Sequence, residues 1–138
     1  MKAEELMLDD WVRCLDSTHE KHVIAQIDAI EEGRGESCIL VKEDNSNWFT
    51  RIEHFAPIPI APVMLEENGF VQEPSGYCWY QEQGIKHQNY CLVQFRKNGQ
   101  VRRVEMDFVN KVRAEFRDIY FVHQLQHELR RVGKEIKL

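Results

Sequence analysis

Two histidines near the C-terminus have the spacing of a metal-chelating pair. His123 and His127 lie four residues apart in the segment HQLQH, and on an α-helix this spacing places both imidazoles on one face. A zinc peptidase of this type needs a glutamate directly after the first histidine as its general base, whereas this chain has Gln124. Because an amide cannot accept a proton from metal-bound water, the sequence disfavours peptidase activity and leaves metal binding as an alternative.

The pattern around the pair predicts that both histidines face solvent. Aliphatic residues of the stretch 118–132 recur at steps of three and four, at Val122, Leu125, Leu129 and Val132. They form one stripe of an amphipathic helix that begins at Asp118 and ends at Gly133. At ~100° per residue, both imidazoles fall roughly 100–140° from Val122 and outside the stripe. We therefore predict a helix that covers a β-sheet and leaves the histidine pair outside.

A second candidate site surrounds the pair Asn98-Gly99, which predicts a hairpin with a two-residue type I′ turn. Four basic residues flank this turn: Arg96, Lys97, Arg102 and Arg103. A two-stranded ribbon can enter a major groove, and arginines bind phosphates, so the cluster indicates a surface for nucleic acid or another partner. Further basic residues and possible stacking residues follow the same strands: Lys111, Arg113, Arg117, Tyr77, Trp79 and Tyr90. The alternative is a solvated sheet face that pairs with acidic residues elsewhere in the chain.

The turn also predicts the register of the hairpin. With Asn98 and Gly99 as the loop, Val93 lies opposite Val104, and Cys91 lies opposite Met106 on the same apolar face. The other face pairs Gln94 with Arg103 and Leu92 with Glu105. The apolar face should therefore be the side that the C-terminal helix covers.

The four cysteines, Cys14, Cys38, Cys78 and Cys91, have no CxxC spacing. If residues 77–96 form a hairpin that is symmetric about residues 84 and 85, Cys78 falls opposite Cys91, as a disulfide or a paired metal site would require. However, the first residues, MKAEELMLDDW, lack the apolar region of a signal peptide. We therefore expect a cytoplasmic protein with reduced, mostly buried thiols.

Composition excludes several classes of protein. The 138 residues are 43% hydrophobic and 30% charged, which is typical of one globular domain or two very small ones. No run of about 18 apolar residues predicts a membrane span. The nucleophile motif GxSxG and the phosphate-binding motifs GxxxxGK[ST] and GxGxxG do not occur. No catalytic set is complete, so the sequence predicts no enzyme and no cofactor.

The net charge of −5 hides an asymmetry between the two halves of the chain. Residues 1–76 carry 6 basic and 16 acidic side chains, whereas residues 77–138 carry 12 basic and 7 acidic ones. Opposite charges predict either mutual docking of the halves or a partner that recognises only one of them. The negative net charge of the whole chain disfavours indiscriminate binding of nucleic acid.

Hydrophobic alternation and turn residues predict an α+β fold in three segments. Residues 1–56 contain four or five short strands, one of which turns Ala25, Ile27 and Ala29 inward, and form a small SH3-like β-barrel or roll. The acidic pair Asp9-Asp10 lies in a turn and should be solvated. Residues 57–69 form a proline-rich connector and a short helix ending at Gly69. Residues 70–138 form an antiparallel sheet covered by the C-terminal helix.

Three segments of the chain, EELMLDDWV, PIPIAPVMLEENGF and YFVHQLQHELRRVGKEI, resemble a family of small uncharacterised proteins of gut bacteria, often linked to prophages and other mobile elements. The family often has asparagine where this chain has His127, and the resemblance implies no catalytic residue or cofactor. Taken together, the sequence predicts a non-enzymatic interaction module of a mobile element, with a protein partner and no membrane partner. Nucleic-acid binding through the hairpin and metal binding through His123 and His127 are the alternatives.

Overall fold

The computed structural model describes residues 5–16, 21–33, 36–43, 46–51, 54–82, 89–108 and 112–138. The chain divides into two compact units, Met1–Ile58 and Pro59–Leu138, and each contains a five-stranded antiparallel sheet. Neither of the two described helices has the length and apolar character needed to cross a bilayer. The predicted α+β class is confirmed.

The first unit consists of five strands: β1 (Trp11–Asp16), β2 (Lys21–Gly33), β3 (Glu36–Glu43), β4 (Ser46–Arg51) and β5 (Phe55–Ala56). Their order in the sheet is β4-β3-β2-β1-β5. The first four strands form a meander, and the last strand returns to pair with the first. Among the described strands the sheet is open, so the predicted SH3-like barrel is not confirmed.

A bulge in β2 changes which residues of this strand face the core. Ile27 pairs with Val41 but Ala29 pairs with Leu40, so Asp28 is an extra residue. Ala25 and Ile27 are buried as predicted, but beyond the bulge Ile30 packs against the core cluster in place of Ala29. The extra residue reverses the alternation of faces. The core cluster consists of Leu6, Val12, Cys14, Ala25, Ile27 and Phe55.

Of the acidic pair before β1, Asp9 is exposed as predicted, but Asp10 is not. Asp10 is fully buried, and its carboxylate accepts a hydrogen bond of 2.8 Å from the backbone N–H of Met7. Its carbonyl accepts another, of 2.9 Å, from the N–H of Ile27. A carboxylate that closes a turn in this way satisfies a backbone donor, so Asp10 is a structural residue rather than a solvated one.

The second unit contains two helices and the other five strands: α1 (Pro62–Glu67), β6 (Val71–Gln72), β7 (Cys78–Glu82), β8 (Tyr90–Phe95), β9 (Val101–Phe108), β10 (Val112–Phe116) and α2 (Val122–Arg130). The sheet order is β10-β9-β8-β7-β6. The buried stripe of α2 and the buried face of this sheet form the apolar interior of the unit. At the end of the helix, the ammonium of Lys134 lies 5.6 Å from the centre of the Phe108 ring on β9.

The hairpin of β8 and β9 has the predicted register along most of its length. Val93 lies opposite Val104, and Cys91 lies opposite Met106. All four side chains are fully buried. The predicted core face of the hairpin is therefore confirmed.

The turn between these strands is not the predicted type I′ turn. That type needs a positive φ at both loop residues, whereas of Asn98 and Gly99 only Gly99 has one, at 86°. The N–H of Gly99 donates to the carbonyl of Arg96 (3.0 Å), and the N–H of Arg96 donates to the carbonyl of Gln100 (2.7 Å). This is a type I turn followed by a glycine in the left-handed conformation.

A bulge in β9 follows the turn. Gln94 pairs with Arg103 but Phe95 pairs with Val101, so Arg102 is the extra residue. Val101 and Val104 are three positions apart, yet both are buried, while Arg102 is exposed. The bulge thus keeps two valines in the core and turns an arginine outward.

Both helices end in the same glycine motif. At the end of α1, the N–H of Gly69 donates to the carbonyl of Glu66 and the N–H of Phe70 to that of Leu65, and Gly69 has a φ of 86°. Helix α2 ends in the same way at Gly133, where φ is 77°. These Schellman motifs satisfy carbonyls that the helix itself leaves open, and both glycines were predicted as helix ends.

The N-cap of α2 lies three residues after Asp118, the predicted cap. Phe121 occupies the N-cap position, and the side-chain oxygen of Gln124 accepts hydrogen bonds from the N–H groups of Tyr120 (2.9 Å) and Phe121 (3.1 Å). The predicted cap at Asp118 is therefore wrong. Gln124, which stands where the histidine motif of a peptidase has its glutamate, instead satisfies the N–H groups of the N-cap residue and of the residue before it.

Asn68, the C-cap of α1, holds the last residues of the chain. Its amide nitrogen donates to the carbonyl of Lys137, and its amide oxygen accepts from the N–H of Lys137, both at 2.8 Å. The same nitrogen also donates to the carbonyl of Met64 (2.7 Å). Because these bonds join positions 69 residues apart, they order a terminal segment that has no strand or helix of its own.

We expect Asn68→Ala to lower the free energy of unfolding by about 1–3 kcal/mol, because three hydrogen bonds are lost. Amide exchange at residues 135–138 should become faster, as measured by hydrogen exchange with mass spectrometry. Gln72→Ala is the matched control and should leave the tail protected, since among the described residues this amide bonds only to Gly76, four residues away. Equal exchange of the tail in both variants would show that Asn68 does not hold it.

Candidate binding site at the hairpin tip

The four basic residues predicted as a binding site do not have equal roles. Arg96, Lys97 and Arg102 are exposed at the turn of the β8–β9 hairpin. Within the described part of the chain none of these three side chains takes part in an ion pair. We call this group the cationic tip. Because nothing described neutralises them, these charges are available to an anionic partner.

Arg103, in contrast, belongs to a polar chain on the outer face of the sheet. Its guanidinium donates to Gln94 and to the carboxylate of Glu105, both at 2.7 Å. The hydroxyl of Tyr90 donates to the other oxygen of that carboxylate. Of the four basic residues around the turn, Arg103 is thus the one that has an ion pair within the described part of the chain.

The pKa of Tyr90 is raised to about 12, chiefly because its phenol donates a hydrogen bond to the Glu105 carboxylate. Burial of the phenol and the negative charge of Glu105 raise this pKa further. The tyrosine was predicted as a possible stacking residue. Its hydroxyl is held by the polar chain, which orients the ring on the outer face of the sheet.

A shallow depression of about 450 Å³ lies beside the cationic tip. We call it the cationic depression; its described lining comprises Tyr77, Gln94, Phe95, Arg96, Lys97, Arg102 and Arg117. Arg117 forms an ion pair with Glu115 at 3.0 Å, but no carboxylate is among these lining residues. Tyr77, a predicted stacking residue, is 44% exposed. The depression therefore combines positive charge with one accessible aromatic ring.

A second and larger cavity, of about 640 Å³, lies on another side of the same turn. We call it the aromatic cavity; its described lining comprises Pro59, Ile60, Arg96, Asn98, Gly99, Gln100, Val101, Tyr120 and Phe121. Arg96 lines both cavities and is the only charged residue here. The size is that of an ordinary small-ligand pocket.

The sequence does not predict the aromatic cavity, because its walls come from distant segments. Pro59 and Phe121 form an isolated antiparallel bridge, and the N–H of Ile60 donates to the carbonyl of Tyr120 at 3.1 Å. This pairing brings the proline connector beside the start of α2. No local pattern in either segment indicates the other, so Tyr120 and Pro59 were missed as candidate site residues.

The predicted pairing of Cys78 with Cys91 is wrong. Cys78 pairs with Gln94 and Cys91 pairs with Gln81, so the hairpin is centred on residue 86 rather than between residues 84 and 85. Three residues along a strand correspond to about 10 Å, beyond the ~7 Å between Cα atoms that a disulfide tolerates. The connecting residues 83–88 lie outside the described residues, as do the side chains of Cys38 and Cys78.

Cys91 is a free, buried thiol, and Cys14 is also buried. Burial raises the pKa of Cys91 to about 12, while the nearby charge of Lys134 lowers it slightly. Since the thiolate is the nucleophilic and metal-binding form, Cys91 is unreactive at neutral pH.

The histidine pair is more buried than the sequence predicts. His123 is only 2% exposed, and its ring stacks on Phe121 with a centroid distance of 6.1 Å and an interplanar angle of 7°. His127 is half-buried, and the two imidazoles lie edge to face at 5.8 Å. The prediction that both imidazoles face solvent is therefore wrong for His123.

The buried arc of α2 explains this difference. Besides the predicted stripe, His123 and Gln126 are buried. The buried residues therefore cover about 180° of the helix circumference, more than the predicted stripe alone. Among the residues that the structure describes, no group of three or more His, Cys, Asp or Glu side chains is arranged to hold a metal ion. A site at His123 and His127 would thus need a ligand from outside the described ranges.

The raised pKa of Tyr90 gives a titration test. In the folded protein Tyr90 should ionise near pH 12 rather than near 10, so its stabilising effect is complete below pH 10 and disappears as pH rises from 10 to 12. Glu105→Gln should lower this pKa, measured as phenolate absorbance near 295 nm. The difference between the native chain and Tyr90→Phe isolates the Tyr90 signal. If this signal titrates near pH 10 in the native chain, the hydrogen bond to Glu105 is not formed.

Because the two histidines differ in burial, their replacement should lower stability by different amounts. We expect His123→Ala to lower the free energy of unfolding by about 2 kcal/mol or more, because it leaves a cavity beside Phe121. His127→Ala should cost less than about 1 kcal/mol, since that ring is partly exposed. Urea unfolding with and without EDTA measures both values. A similar loss in both variants that disappears when EDTA is present would instead indicate a shared metal ion.

Comparison with known proteins does not identify a family for this chain. No family model, no curated protein and no solved structure matches it. The resemblance to a family of mobile elements therefore stays a prediction.

Proposed function

We propose that this protein is a non-enzymatic interaction module that binds an anionic partner through the cationic tip. The observation that carries the proposal is the position of Arg96, Lys97 and Arg102, three exposed cations at one turn with no described ion pair. A surface cation that is not neutralised within its own chain favours a negatively charged partner.

The framework of the tip supports this proposal. The left-handed Gly99 and the bulge at Arg102 define the backbone of the turn, and the buried face of the hairpin begins at Val101. Cations on a rigid turn lose less conformational freedom on binding than cations on a mobile loop. The second unit is also the basic one, with 12 basic and 10 acidic residues in positions 59–138.

The chemistry of the two cavities agrees with a binding role. Their described ionisable residues are arginine, lysine and tyrosine. Arginine and lysine bind anions, and neither cavity has a described histidine or carboxylate to act as a general base. The polar groups of the lining therefore favour recognition over proton transfer.

The first sheet, a buried cysteine and three sequence segments support the other parts of the proposal. The strand order β4-β3-β2-β1-β5 of the first unit, in which the fifth strand pairs with the first, favours an SH3-like roll. The buried free thiol of Cys91 agrees with action in the reducing cytoplasm. The resemblance of three segments to a family linked with prophages favours a role in a mobile element.

Two classes of partner carry the required charge, namely an acidic protein surface and a nucleic acid. Nucleic-acid binding was predicted with four residues, but Arg103 pairs with Glu105. The contact set therefore reduces to Arg96, Lys97 and Arg102. Arg117 at the edge of the depression is 70% exposed but pairs with Glu115, so it is not counted in this set.

The proposal is tested with immobilised heparin as a generic polyanion. We expect the native chain to be retained and the variant Arg96→Gln/Lys97→Gln/Arg102→Gln to elute at lower salt. The slope of log affinity against log salt should fall by about 3, one for each lost contact. Retention and slope are measured by elution at several salt concentrations.

The matched control is Arg113→Gln/Arg131→Gln/Lys137→Gln, which removes the same charge from exposed positions elsewhere in the second unit. It should retain most of the binding. If both triple variants lose retention equally, only net charge matters and the cationic tip is not a site. Retention that is unchanged in the tip variant would also contradict the proposal.

A further inference from the structure

The turn at Asn98-Gly99 separates two cavities that have the same kind of chemistry. The cationic depression offers the ring of Tyr77 beside Lys97 and Arg102, and the aromatic cavity offers Tyr120 beside Arg96. Since Arg96 lines both, a single extended ligand can follow the turn from one cavity to the other. Each half then presents a cation and an aromatic ring.

The aromatic cavity has the properties of a site for a planar ring. Tyr120 is 46% exposed although it is a large aromatic residue, and its ring meets that of Phe121 edge to face, at 6.4 Å and 71°. Two rings at a steep angle form a corner in which a planar group can stack on one ring and meet the other with its edge. Pro59 and Val101 add apolar walls.

Two neutral amides at the rim supply both kinds of hydrogen-bonding group. The side-chain oxygen of Asn98 accepts a hydrogen bond from the N–H of Gln100 (3.0 Å), which orients the Asn98 amide at the turn. The Asn98 and Gln100 amides also lie 3.5 Å apart. Side-chain amides both donate and accept, as the edges of nucleobases do.

We infer that the ligand of this surface is a single strand of nucleic acid, with one base in the aromatic cavity and the adjoining phosphates on the cationic tip. The inference rests on the proposed function and specifies its partner. Each nucleotide of a strand carries one phosphate and one planar base. This repeat matches the cation and the aromatic ring that lie on each of the two sides of Arg96. Proteins that bind single strands combine the same elements.

A duplex fits this surface less well, because its bases are stacked inside and cannot enter the aromatic cavity. An acidic peptide satisfies the cations but leaves the exposed Tyr77 and Tyr120 rings without a regular planar partner. The net charge of −5 restricts binding to the local site, since the chain as a whole repels polyanions. We therefore expect short strands to bind with a strong dependence on salt.

The first experiment uses the native chain and needs no variant. Fluorescence anisotropy compares a labelled twelve-nucleotide oligothymidine with a strand of the same length in which abasic sites replace the bases. Both carry the same phosphates, so the difference reports the bases alone. Loss of base stacking should weaken binding about 10-fold, with an unchanged salt slope. A twelve-base-pair duplex should also bind more weakly than the single strand.

The second experiment assigns the base to its cavity. Tyr120→Ala should weaken oligothymidine binding about 10-fold without changing the salt slope, whereas Tyr120→Phe keeps the ring and should bind like the native chain. Urea unfolding shows whether either variant is folded. Tyr77→Ala gives an independent variant on the other side of Arg96, with an expected loss of several-fold.

The outcomes distinguish this inference from the proposed function. If the abasic strand or the duplex binds as well as oligothymidine, the inference is wrong, while heparin retention that depends on the tip would still support an anionic partner. Polyglutamate that displaces the strand at equal charge concentration would indicate an acidic protein instead. If heparin retention does not depend on the tip, the proposed function itself is wrong.

Discussion

Burial of one face of the β8–β9 hairpin is the constraint on which the rest of the second unit depends. Val93, Val104, Cys91 and Met106 are opposed in pairs and fully excluded from solvent, so a slip of one residue in either strand would expose the two that it carries. Near the turn, Val101 is buried on the same face only because the bulge in β9 inserts one extra residue, Arg102, before the regular register. The exposed position of Arg102 is therefore a direct consequence of core packing.

The same register orders the charges on the outer face of the sheet. Glu105 lies opposite Glu115 on the neighbouring strand, a like-charge pair that is unfavourable by itself. Arg103 and Tyr90 bind the first carboxylate and Arg117 binds the second. The middle of the sheet thus satisfies its own charges, and the cations without a described ion pair remain at the hairpin tip. This distribution explains why the tip, rather than the whole basic face, is the candidate site.

The second cavity depends on contacts between segments that are remote in sequence. A short bridge between Pro59 and Phe121 places the connector against the start of α2, where Gln124 caps the first turn. The helix is consequently buried over about half of its circumference. His123 lies inside this arc and stacks on Phe121, which makes it part of the packing of the unit.

The sequence alone determined the α+β class, the core face of the hairpin, both glycine helix ends and the basic residues of the tip. Each depends on local alternation or on a backbone conformation that one residue type favours. The tertiary structure decided the open first sheet, the bulges, the offset of β7 that separates Cys78 from Cys91, the burial of His123 and Asp10, and the aromatic cavity. These features arise where segments that are distant in the chain meet. The periodicity of one segment carries no information about which other segment will pack against it.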